Sequence, residues 1–585
     1  MSQPGSNSIE WLPWAESSFE LARKQHRPVL LTIVASWCRY CRELDETTFA
    51  DPKIVERIRD AYVPVRVDKD RRPDINARYN CGGWPTIAFL TPGGDLIAGE
   101  TFLTSAELMP ILDRVAPFFR EHGDEIRSRV EELEEIRIRA QERRELGSLS
   151  ASILDAVGTS VLESFDSVHG GFGTGSKFPH AEAIDFALAT YVRHGDERMR
   201  QVVVRTLDAM ARGEIRDTVE GGFFRYAQAR DWRAPHTEKM LDSNASRLRF
   251  YLEAFQVLGT PSYREVAEGI LGWMDARLRD SESGAYFGSQ DADPEYYGLP
   301  IERRRARNSP RVDRTIYADW NAIAASALFV ASTTMERPVL REQGAQVLKF
   351  IVDEMVDDKK GVYHYWDGTF HLPGLLSDQA YVLRALTDAL AYTGDPRWLE
   401  QAVRLAAILR ARHLSSSGGF YDLPHDASDL KNPVRRNRSI LENSVVAEGF
   451  IRLGILLRDD SYLRTAREAL QSFTQDYRQY GYYVAGYARA VDLLLHEPIH
   501  VTVVGSWGSE VEERLRIAAL GRYMPNRVVD AIDPKREPAR LQRAGLPSRE
   551  VPTAFVSVGR ASFAEVTDPA ELPAALEAAE RDRMG

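Results

Sequence analysis

Two cysteines, Cys38 and Cys41, are separated by two residues where an apolar run ends and a helical stretch begins. The run, residues 29–35, is rich in β-branched side chains, which is typical of a strand buried on both faces. A thiol at the start of the next helix meets free backbone N–H groups, which stabilise its thiolate. The second thiol lies one turn inside, close enough to form or resolve a disulfide. The spacing predicts a dithiol redox site in which Cys38 is the more exposed and more acidic thiol.

A proline at the entry to a later strand is the second chemical feature of this region. Pro85 follows Trp84 and a pair of glycines, and residues 85–90 have the pattern of a strand. A proline at that position fits a cis peptide in a tight turn. We predict that the Trp84–Pro85 peptide is cis and packs beside the thiol pair. The same turn is expected to bring Cys81 into the neighbourhood of the thiols.

Composition limits the classes of protein to which the chain can belong. It has 585 residues, 44% of them hydrophobic, and a net charge of −11, which argues against nucleic-acid and anionic-membrane partners. Three cysteines are too few for a disulfide-stapled secreted scaffold. The polar segment Met1–Glu10 predicts no signal peptide, and the apolar run 322–331 predicts a buried helix too short to span a bilayer. We therefore expect a multidomain, cytoplasmic protein.

Four regions differ in pattern along the chain. Residues 1–118 alternate strands and helices and predict an α/β domain. Residues 119–148 predict a connector helix that docks along an apolar stripe. Residues 149–495 are helical almost throughout, and residues 496–585 return to an α/β pattern. The elements predicted in the two α/β regions are strands 29–35, 62–67, 85–90, 499–504, 527–532 and 554–558 and helices 43–59, 72–79, 510–523 and 569–581. The connector's stripe consists of Ile126, Val130, Leu133, Ile136 and Ala140.

A recurring glycine–aromatic loop organises the helical region. Its six instances are at residues 170–172, 221–224, 284–287, 361–363, 418–421 and 481–483. Their intervals of 51 to 77 residues each fit two helices and a loop, so the unit is a helical hairpin. Six such hairpins that bury one face against their neighbours predict a closed (α/α)6 toroid with the aromatic side chains at its mouth. The alternative is an open helical solenoid.

Polar residues concentrate beside these loops and at the starts of apolar helices. Three segments, residues 319–321, 377–379 and 442–444, each open an apolar helical run. If such positions gather at one end of the toroid, they form one pocket. The competing interpretation is that each residue is only a local helix cap or loop ion pair. The residues predicted to line this pocket are His180, His236, Glu238, Asp291, Asp293, Asn321 and Asp378.

Residues 8–118 resemble the thioredoxin fold, because the strand, the Trp-Cys-x-x-Cys motif and the Trp-Pro-Thr loop come in order. The resemblance implies catalytic roles for Cys38, Cys41 and Pro85. The chain departs from thioredoxins at Thr32, where they carry a buried Asp. Two other interpretations remain open. One is a structural zinc site that includes Cys81 and a nearby histidine, and the other is a thioredoxin-like domain that serves only as a rigid or binding module.

The chain as a whole resembles the thioredoxin-domain proteins of the YyaL and spermatogenesis-associated protein 20 family. That resemblance implies a thioredoxin-like domain fused to an (α/α)6 barrel similar to N-acylglucosamine 2-epimerases and six-hairpin glycosidases. The chain departs from the family at residues 242–244, Asp-Ser-Asn in place of Tyr-Asp-Gln. The segments that carry the resemblance are Cys38–Cys41, Gly82–Pro85, Gly170–Gly173, Lys177–Pro179, Gly221–Phe223, Arg225–Tyr226, Trp232–Leu241, Asp291–Asp293, Trp320–Asn321 and Asn443–Ser444.

Three functions follow as hypotheses. The first is thiol–disulfide exchange at Cys38 and Cys41, with a protein disulfide or a thioredoxin-reductase-type protein as partner. The second is carbohydrate chemistry in the toroid, either hydrolysis between two carboxyl groups or epimerisation between an acid and a base. The third is non-catalytic binding of a glycan or client protein. Neither a cofactor nor a metal ion is expected from the motifs, and fold analogy alone does not choose among these functions.

Overall fold

The computed structural model describes residues 8–142, 146–427 and 436–584. The first seven residues of the polar segment Met1–Glu10 lie outside this range. The chain divides into two compact units. The first contains the N-terminal α/β domain and its last helix, and the second contains the helical domain and the C-terminal module. The predicted fold class, a thioredoxin-like α/β domain, an (α/α)6 toroid and a small α/β module, is confirmed.

The first unit is a four-stranded sheet with helices on both faces. Strand order is β2-β1-β3-β4, with β2 parallel to β1 and β3 and β4 antiparallel to their neighbours. Because side chains alternate along a strand, Leu31 of β1 joins a core with Phe19, while Leu30 joins another with Leu44 and Leu112. Its elements are α1 Glu16–Gln25, β1 Val29–Val34, α2 Arg39–Glu46, α3 Pro52–Ala61, β2 Val63–Asp68, α4 Pro73–Tyr79, β3 Thr86–Leu90, β4 Leu96–Glu100 and α5 Ser105–Glu142.

Two features of this unit differ from the sequence prediction. The single helix predicted over residues 43–59 is two helices, since Asp51 caps a new one through the backbone N–H of Lys53 and Pro52 begins it. The last helix, α5, runs without a break across the domain boundary predicted at residue 118. Leu133 and Ile136 of the connector's apolar stripe are exposed, and docking along that stripe stays a prediction. Ala140 lies outside the described side chains.

The second unit contains six helical hairpins that close into a ring. Helices α7, α9, α13, α15, α17 and α19 each contact the next, and α19 contacts α7, which excludes the open solenoid. Helices α8, α10, α14, α16, α18 and α6 pack outside them. The bounds are α6 Ala151–Ser164, α7 Ala181–His194, α8 Glu197–Arg212, α9 Leu241–Leu258, α10 Pro261–Trp273, α11 Pro294–Tyr297, α12 Ile301–Arg305, α13 Ala318–Thr334, α14 Pro338–Glu354, α15 Leu376–Thr393, α16 Arg397–Arg412, α17 Ile440–Leu457, α18 Asp460–Gln471 and α19 Ala485–Leu495.

Short strands connect the helices at the end of the ring where the inner helices begin. They are β5 Tyr226–Ala227, β6 Pro235–His236, β7 Lys239–Met240, β8 Ser289–Gln290, β9 Val312–Asp313, β10 Ile316–Tyr317, β11 Val356–Asp357, β12 Gly361–Trp366 and β13 Phe370–Pro373. The prediction that the loop aromatics line the mouth is wrong for Phe172, Phe223, Tyr286 and Phe420. These side chains are buried in the core, because each loop folds back in an antiparallel bridge and carries its aromatic residue inward.

The C-terminal module is a second four-stranded sheet, in the order β15-β14-β16-β17. Its elements are β14 Ile499–Val504, α20 Glu510–Leu520, β15 Arg527–Ile532, α21 Pro538–Ala544, β16 Thr553–Val558, β17 Ala561–Val566 and α22 Leu572–Met584. Three of its strands begin within one residue of the predicted positions, and β17 and α21 were not predicted. Across the part of the chain that the structure describes, no helix has the length and apolar character needed to cross a bilayer.

Candidate functional site

The thiol pair lies at the junction of β1 and α2, where the sequence predicts it. Cys38 is the N-cap residue of α2, and its Sγ accepts a hydrogen bond from the backbone N–H of Cys41 at 3.2 Å. A negative charge at this place is stabilised by the unpaired N–H groups and the helix dipole. The two sulfurs do not form a disulfide here, and the exposed fractions are 6% for Cys38 and 3% for Cys41. The arrangement suits a pair in which Cys38 is the nucleophile.

Cys41 is held in its protonated form. Its hydrogen bond with Cys38 raises the pKa of the Cys41 thiol well above its usual range, and burial raises that pKa further. A thiol in this state does not act as a nucleophile until its neighbouring sulfur has reacted. Cys41 is therefore suited to the resolving step of disulfide exchange rather than to the first attack.

Two tryptophans and the Pro85 loop surround the pair. The Trp84–Pro85 peptide is cis, as predicted, and the carbonyl oxygen of Trp84 lies 3.7 Å from Cys38 Sγ. The ring of Trp84 meets that of Trp37 edge-on at 5.9 Å, and the ammonium of Lys69 lies over both rings. The indole N–H of Trp37 donates to Asp70 at 2.7 Å, which fixes the ring that precedes Cys38.

The third cysteine, Cys81, forms a hydrogen bond with a residue close to it in the chain. Its Sγ donates to the carbonyl of Tyr79 at 3.4 Å and faces β4, since a Cβ at Gly99 would lie 2.2 Å from this sulfur. Burial and the charge of Glu100 raise the pKa of the Cys81 thiol. Among the described residues, the only group with metal-ligand spacing contains no cysteine, which does not support the zinc interpretation. A role for Cys81 as a third redox partner stays a prediction.

In the toroid, the structure brings His236 and Glu238 together. His236 Nδ1 lies 3.9 Å from Glu238 Oε1, and Glu238 also accepts a hydrogen bond from Arg225. The imidazole of His236 stacks on Tyr226, with ring centroids 4.3 Å apart. Burial lowers the pKa of His236, and the neighbouring Glu238 only partly offsets this effect. The pair sits on β6 and the turn that follows, next to the start of an inner helix.

The other predicted pocket residues are held mainly by local contacts. His180 lies 3.3 Å from the hydroxyl of Tyr482, and burial lowers the pKa of this histidine to about 4. Asp291 pairs with Arg311, and Asp293 caps α11. Asn321 is buried, and its amide holds the backbone of the loop that contains Tyr286. These contacts match the competing interpretation of caps and loop ion pairs, and ligand binding by these residues stays a prediction.

Asp378 belongs to a group that the sequence did not reveal as a unit. His364 Nδ1 lies 3.0 and 3.1 Å from the two carboxylate oxygens of Asp378, and both residues are buried. Asp319, at the start of α13, completes the group, with ligand atoms of all three residues within 4.8 Å of one another. Such a set of one imidazole and two carboxylates could hold a divalent cation. Burial and the charge of Asp378 raise the pKa of Asp319 to about 7.

His364 was missed because it lies on β12, where the sequence indicated only a glycine–aromatic loop. Asp319 and Asp378 occupy the first turns of two neighbouring inner helices, α13 and α15. The sequence predicts a pocket at this end of the ring from polar residues at the starts of the apolar helices. The structure shows which of these residues meet: two first-turn carboxylates form a triad with an imidazole from a third element, β12.

A separate cavity of about 270 Å³ runs between the inner helices. Ion pairs line its walls. Arg249 pairs with Glu253 at 2.8 Å, and Arg489 pairs with Asp185 at 3.1 Å. Arg452 bonds Asp388 and Glu448 at 2.5 and 2.6 Å. None of the predicted pocket residues is among the described residues that line this cavity. The sequence did contain a signal for it, since two of these pairs are spaced i,i+4 on inner helices.

The fold and the thiol site define a class of protein, a thioredoxin-like domain with a Cys-x-x-Cys pair fused to an (α/α)6 toroid. Residues 1–137 match the family Thioredox_DsbH, described as a protein of unknown function, DUF255. The chain is 24% identical to spermatogenesis-associated protein 20 of Rattus norvegicus, over 97% of this chain and 90% of that protein. The family resemblance predicted from the motifs is thereby confirmed.

Two further proteins are similar to parts of the chain. The thiol:disulfide interchange protein DsbD 1 of Pseudomonas aeruginosa is 36% identical over 78 residues, 13% of this chain and 13% of that protein. The structure of cellobiose 2-epimerase from Spirochaeta thermophila superposes on 60% of this chain and 96% of its own, with 16% sequence identity and a TM-score of 0.48.

Proposed function

We propose that the N-terminal domain is a thiol–disulfide oxidoreductase whose nucleophile is Cys38. The observation that carries this proposal is the 3.2 Å hydrogen bond from the backbone N–H of Cys41 to Cys38 Sγ at the start of α2. A sulfur in that position is stabilised as a thiolate, which is the reactive form. The similarity to a DsbD protein, named for thiol–disulfide interchange, supports the same chemistry.

The reaction has two steps. The Cys38 thiolate attacks one sulfur of a client disulfide, and the other client sulfur leaves as a thiolate that takes a proton from water. The thiol of Cys41 then loses its proton and attacks Cys38 Sγ, which releases the first client sulfur as a thiol. The client has gained two electrons and two protons, and the domain has become a Cys38–Cys41 disulfide. A dithiol reductant, such as a thioredoxin-reductase-type partner, must reduce this disulfide before the next turnover.

Insulin reduction by the full chain, with dithiothreitol as electron donor, tests this proposal. Cys38→Ser is expected to abolish the protein's contribution. Cys41→Ser is expected to stall as a mixed disulfide that intact-mass analysis detects. Cys81→Ser is the matched control, because Cys81 lies on a different loop and should leave the rate unchanged. A wild-type rate no greater than that of dithiothreitol alone would instead favour the rigid or binding module.

A second activity is supported by the Asp319–His364–Asp378 group. A carboxyl with a pKa of about 7 beside an Asp–His pair can donate and accept a proton at neutral pH. Glycosidases of the common types need two carboxyl groups about 5–5.5 or 6.5–9.5 Å apart. The ligand atoms of this group lie within 4.8 Å of one another, closer than either spacing, so hydrolysis between its two carboxyl groups is disfavoured and proton transfer is the activity proposed. We propose a carbohydrate as its substrate.

Incubation with reducing sugars in D2O tests the second activity. Proton transfer at carbon exchanges a C–H bond for C–D, which NMR detects, and Asp319→Asn should abolish this exchange. Asp353→Asn is the control, because Asp353 lies on an outer helix in an exposed ion pair with Lys349. A sugar that raises the melting temperature without any deuterium exchange would favour the non-catalytic binding protein.

A further inference from the structure

The C-terminal module repeats the architecture of the N-terminal domain. Strand order is β2-β1-β3-β4 in one sheet and β15-β14-β16-β17 in the other, with the same pattern of parallel and antiparallel neighbours. In each, the first two strands pair over six residues, and the last hairpin contains a register shift. A seven-residue helix that begins with proline, α4 or α21, precedes the third strand in each. Each sheet is followed by a final helix.

Short sequence motifs also recur at equivalent positions of the two domains. A Ser-Trp pair comes one residue after the first strand in both, ending at Trp37 and Trp507. A Pro-Thr pair opens the third strand in both, with Pro552 at the position of Pro85. Each tryptophan bonds an aspartate that follows the second strand: Trp37 donates its indole N–H to Asp70, and Trp507 its backbone N–H to Asp533. So many ordered matches indicate two copies of one fold.

The two copies differ at the reactive positions. Gly508 and Val511 follow Trp507 where Cys38 and Cys41 follow Trp37, and all three cysteines of the chain lie before residue 82. The C-terminal copy therefore has no thiol with which to exchange a disulfide.

The loop that would carry the redox motif and the helix that follows it, α20, instead contact the end of inner helix α15. The indole N–H of Trp507 donates to the carbonyl of Thr393 at 3.3 Å, and the guanidinium of Arg516 donates to the carbonyl of Tyr392. The last carbonyls of a helix have no partner within the helix and carry partial negative charge, so N–H donors and a cation stabilise them. Gly394 ends α15 with a φ of +67°, and a Cβ there would lie 3.0 Å from Arg516 Nε.

This docking places β15 and the turn before it across one end of the inner-helix cavity. Residues 523–529 line the cavity together with the inner helices. The hydroxyl of Tyr523 donates to Asp185 at 3.2 Å, and Arg489 donates to the side-chain oxygen of Asn526 at 3.3 Å. The module therefore supplies polar groups that bond the Arg489–Asp185 ion pair in the cavity wall.

We propose that the C-terminal module is a thiol-free thioredoxin fold whose motif loop and following helix, α20, cap inner helix α15 and hold the module as the floor of the toroid cavity. The loop that carries the thiols in the N-terminal domain here has an equivalent that contacts a helix end of the same chain. The cavity is closed on the side of β15. This inference does not depend on thiol chemistry at Cys38.

Hydrogen–deuterium exchange of the full chain tests the proposal with a matched pair of arginine variants on α20. Arg516→Met removes the guanidinium that caps α15, while Arg514→Met changes a solvent-exposed side chain on the same helix. Because hydrogen bonds from charged groups are among the stronger ones, we expect the amides of residues 523–529 to exchange about tenfold faster in Arg516→Met. Arg514→Met should match wild type.

Equal exchange in the two variants would overturn the proposed role of the cap. Trp507→Phe provides a second test if Arg516→Met does not fold, because it keeps an aromatic ring and loses only the indole N–H that bonds Thr393. Faster exchange of residues 523–529, with unchanged exchange in the β1–β4 sheet, is expected for it as well. Unchanged exchange of residues 523–529 in Trp507→Phe would count against the proposal. Uniformly faster exchange along the whole chain would also contradict it, since the module would then not be a separately held floor.

Discussion

The side-chain amide of Asn244 bonds both backbone groups of Phe223. Its Oδ1 accepts from the Phe223 N–H at 2.7 Å, and its Nδ2 donates to the Phe223 carbonyl at 3.0 Å. The same pair of hydrogen bonds, one accepted and one donated by a side-chain amide, joins each of four glycine–aromatic loops to the start of the next inner helix. We call this pair a bracket. The other three pairs are Asn321 with Tyr286, Gln379 with Val362, and Asn443 with Phe420. In these four hairpins, one buried amide thus fixes the glycine–aromatic loop to the end of the ring where the inner helices begin.

Replacing such an amide should destabilise the toroid. Asn244→Ala removes two hydrogen bonds to Phe223 and one to the carbonyl of Met240, and it leaves buried backbone groups unpaired. We expect a loss of about 2–4 kcal/mol in the free energy of unfolding, measured by urea denaturation. Asn308→Ala, at an exposed position, is expected to change it by less than about 0.5 kcal/mol. Similar losses in both variants would contradict a bracketing role.

The thiols are expected to react with an alkylating agent in a fixed order. Cys41 carries a raised pKa, caused first by its hydrogen bond with Cys38 and then by burial, so it stays protonated at neutral pH. Brief treatment with iodoacetamide at pH 7, followed by peptide mapping, should therefore label Cys38 before Cys41. Cys38→Ala removes the first of these two causes and leaves burial, so Cys41 should be labelled faster in this variant than in wild type. Preferential labelling of Cys41 in wild type would exclude Cys38 as the nucleophile.

Stability should depend on pH through Asp319. Its pKa is raised from 3.8 to about 7 by burial and by the charge of Asp378, so the folded state holds a proton that the unfolded state releases. The folded state binds more protons between those two values, and stability through this group is lost as pH rises from about 4 to about 7. Urea unfolding at pH 5 and pH 8 should show a smaller pH effect in Asp319→Asn. The same pH effect in variant and wild type would refute the assignment.

His500 should contribute the opposite dependence. It is buried in β14, and burial lowers its pKa from 6.5 to about 3. The unfolded chain then binds more protons between those values, so stability through this group is lost as pH falls from about 6.5 towards 3. His500→Leu should lose less stability than wild type between pH 7 and pH 5. An equal loss of stability in His500→Leu and in wild type would contradict this prediction.

The local features of both α/β regions follow from the sequence because they depend on neighbours along the chain. Three such features are the β1 strand, the thiol spacing at the helix start and the cis Trp84–Pro85 turn. Each is encoded by residues that are close neighbours in the chain. The predicted helix over residues 43–59 was wrong, although Asp51 and Pro52 form a helix-start signal that would have divided it. The loop aromatics were misplaced, because glycine–aromatic spacing marks a turn without telling which side of it is buried.

Sequence alone determined that six hairpins exist and that a dithiol site precedes them, since hydrophobic period, turn residues and motif spacing are local properties. Tertiary structure decided which distant residues meet. His364 joins Asp319 and Asp378 because ring closure sets β12 against the starts of α13 and α15. The fold of the C-terminal module likewise became evident only from its strand order. The N-terminal domain is recognised by its two cysteines, and the C-terminal module has none. Contacts between residues far apart in the chain depend on how the elements pack, and a pattern of neighbours does not contain that information.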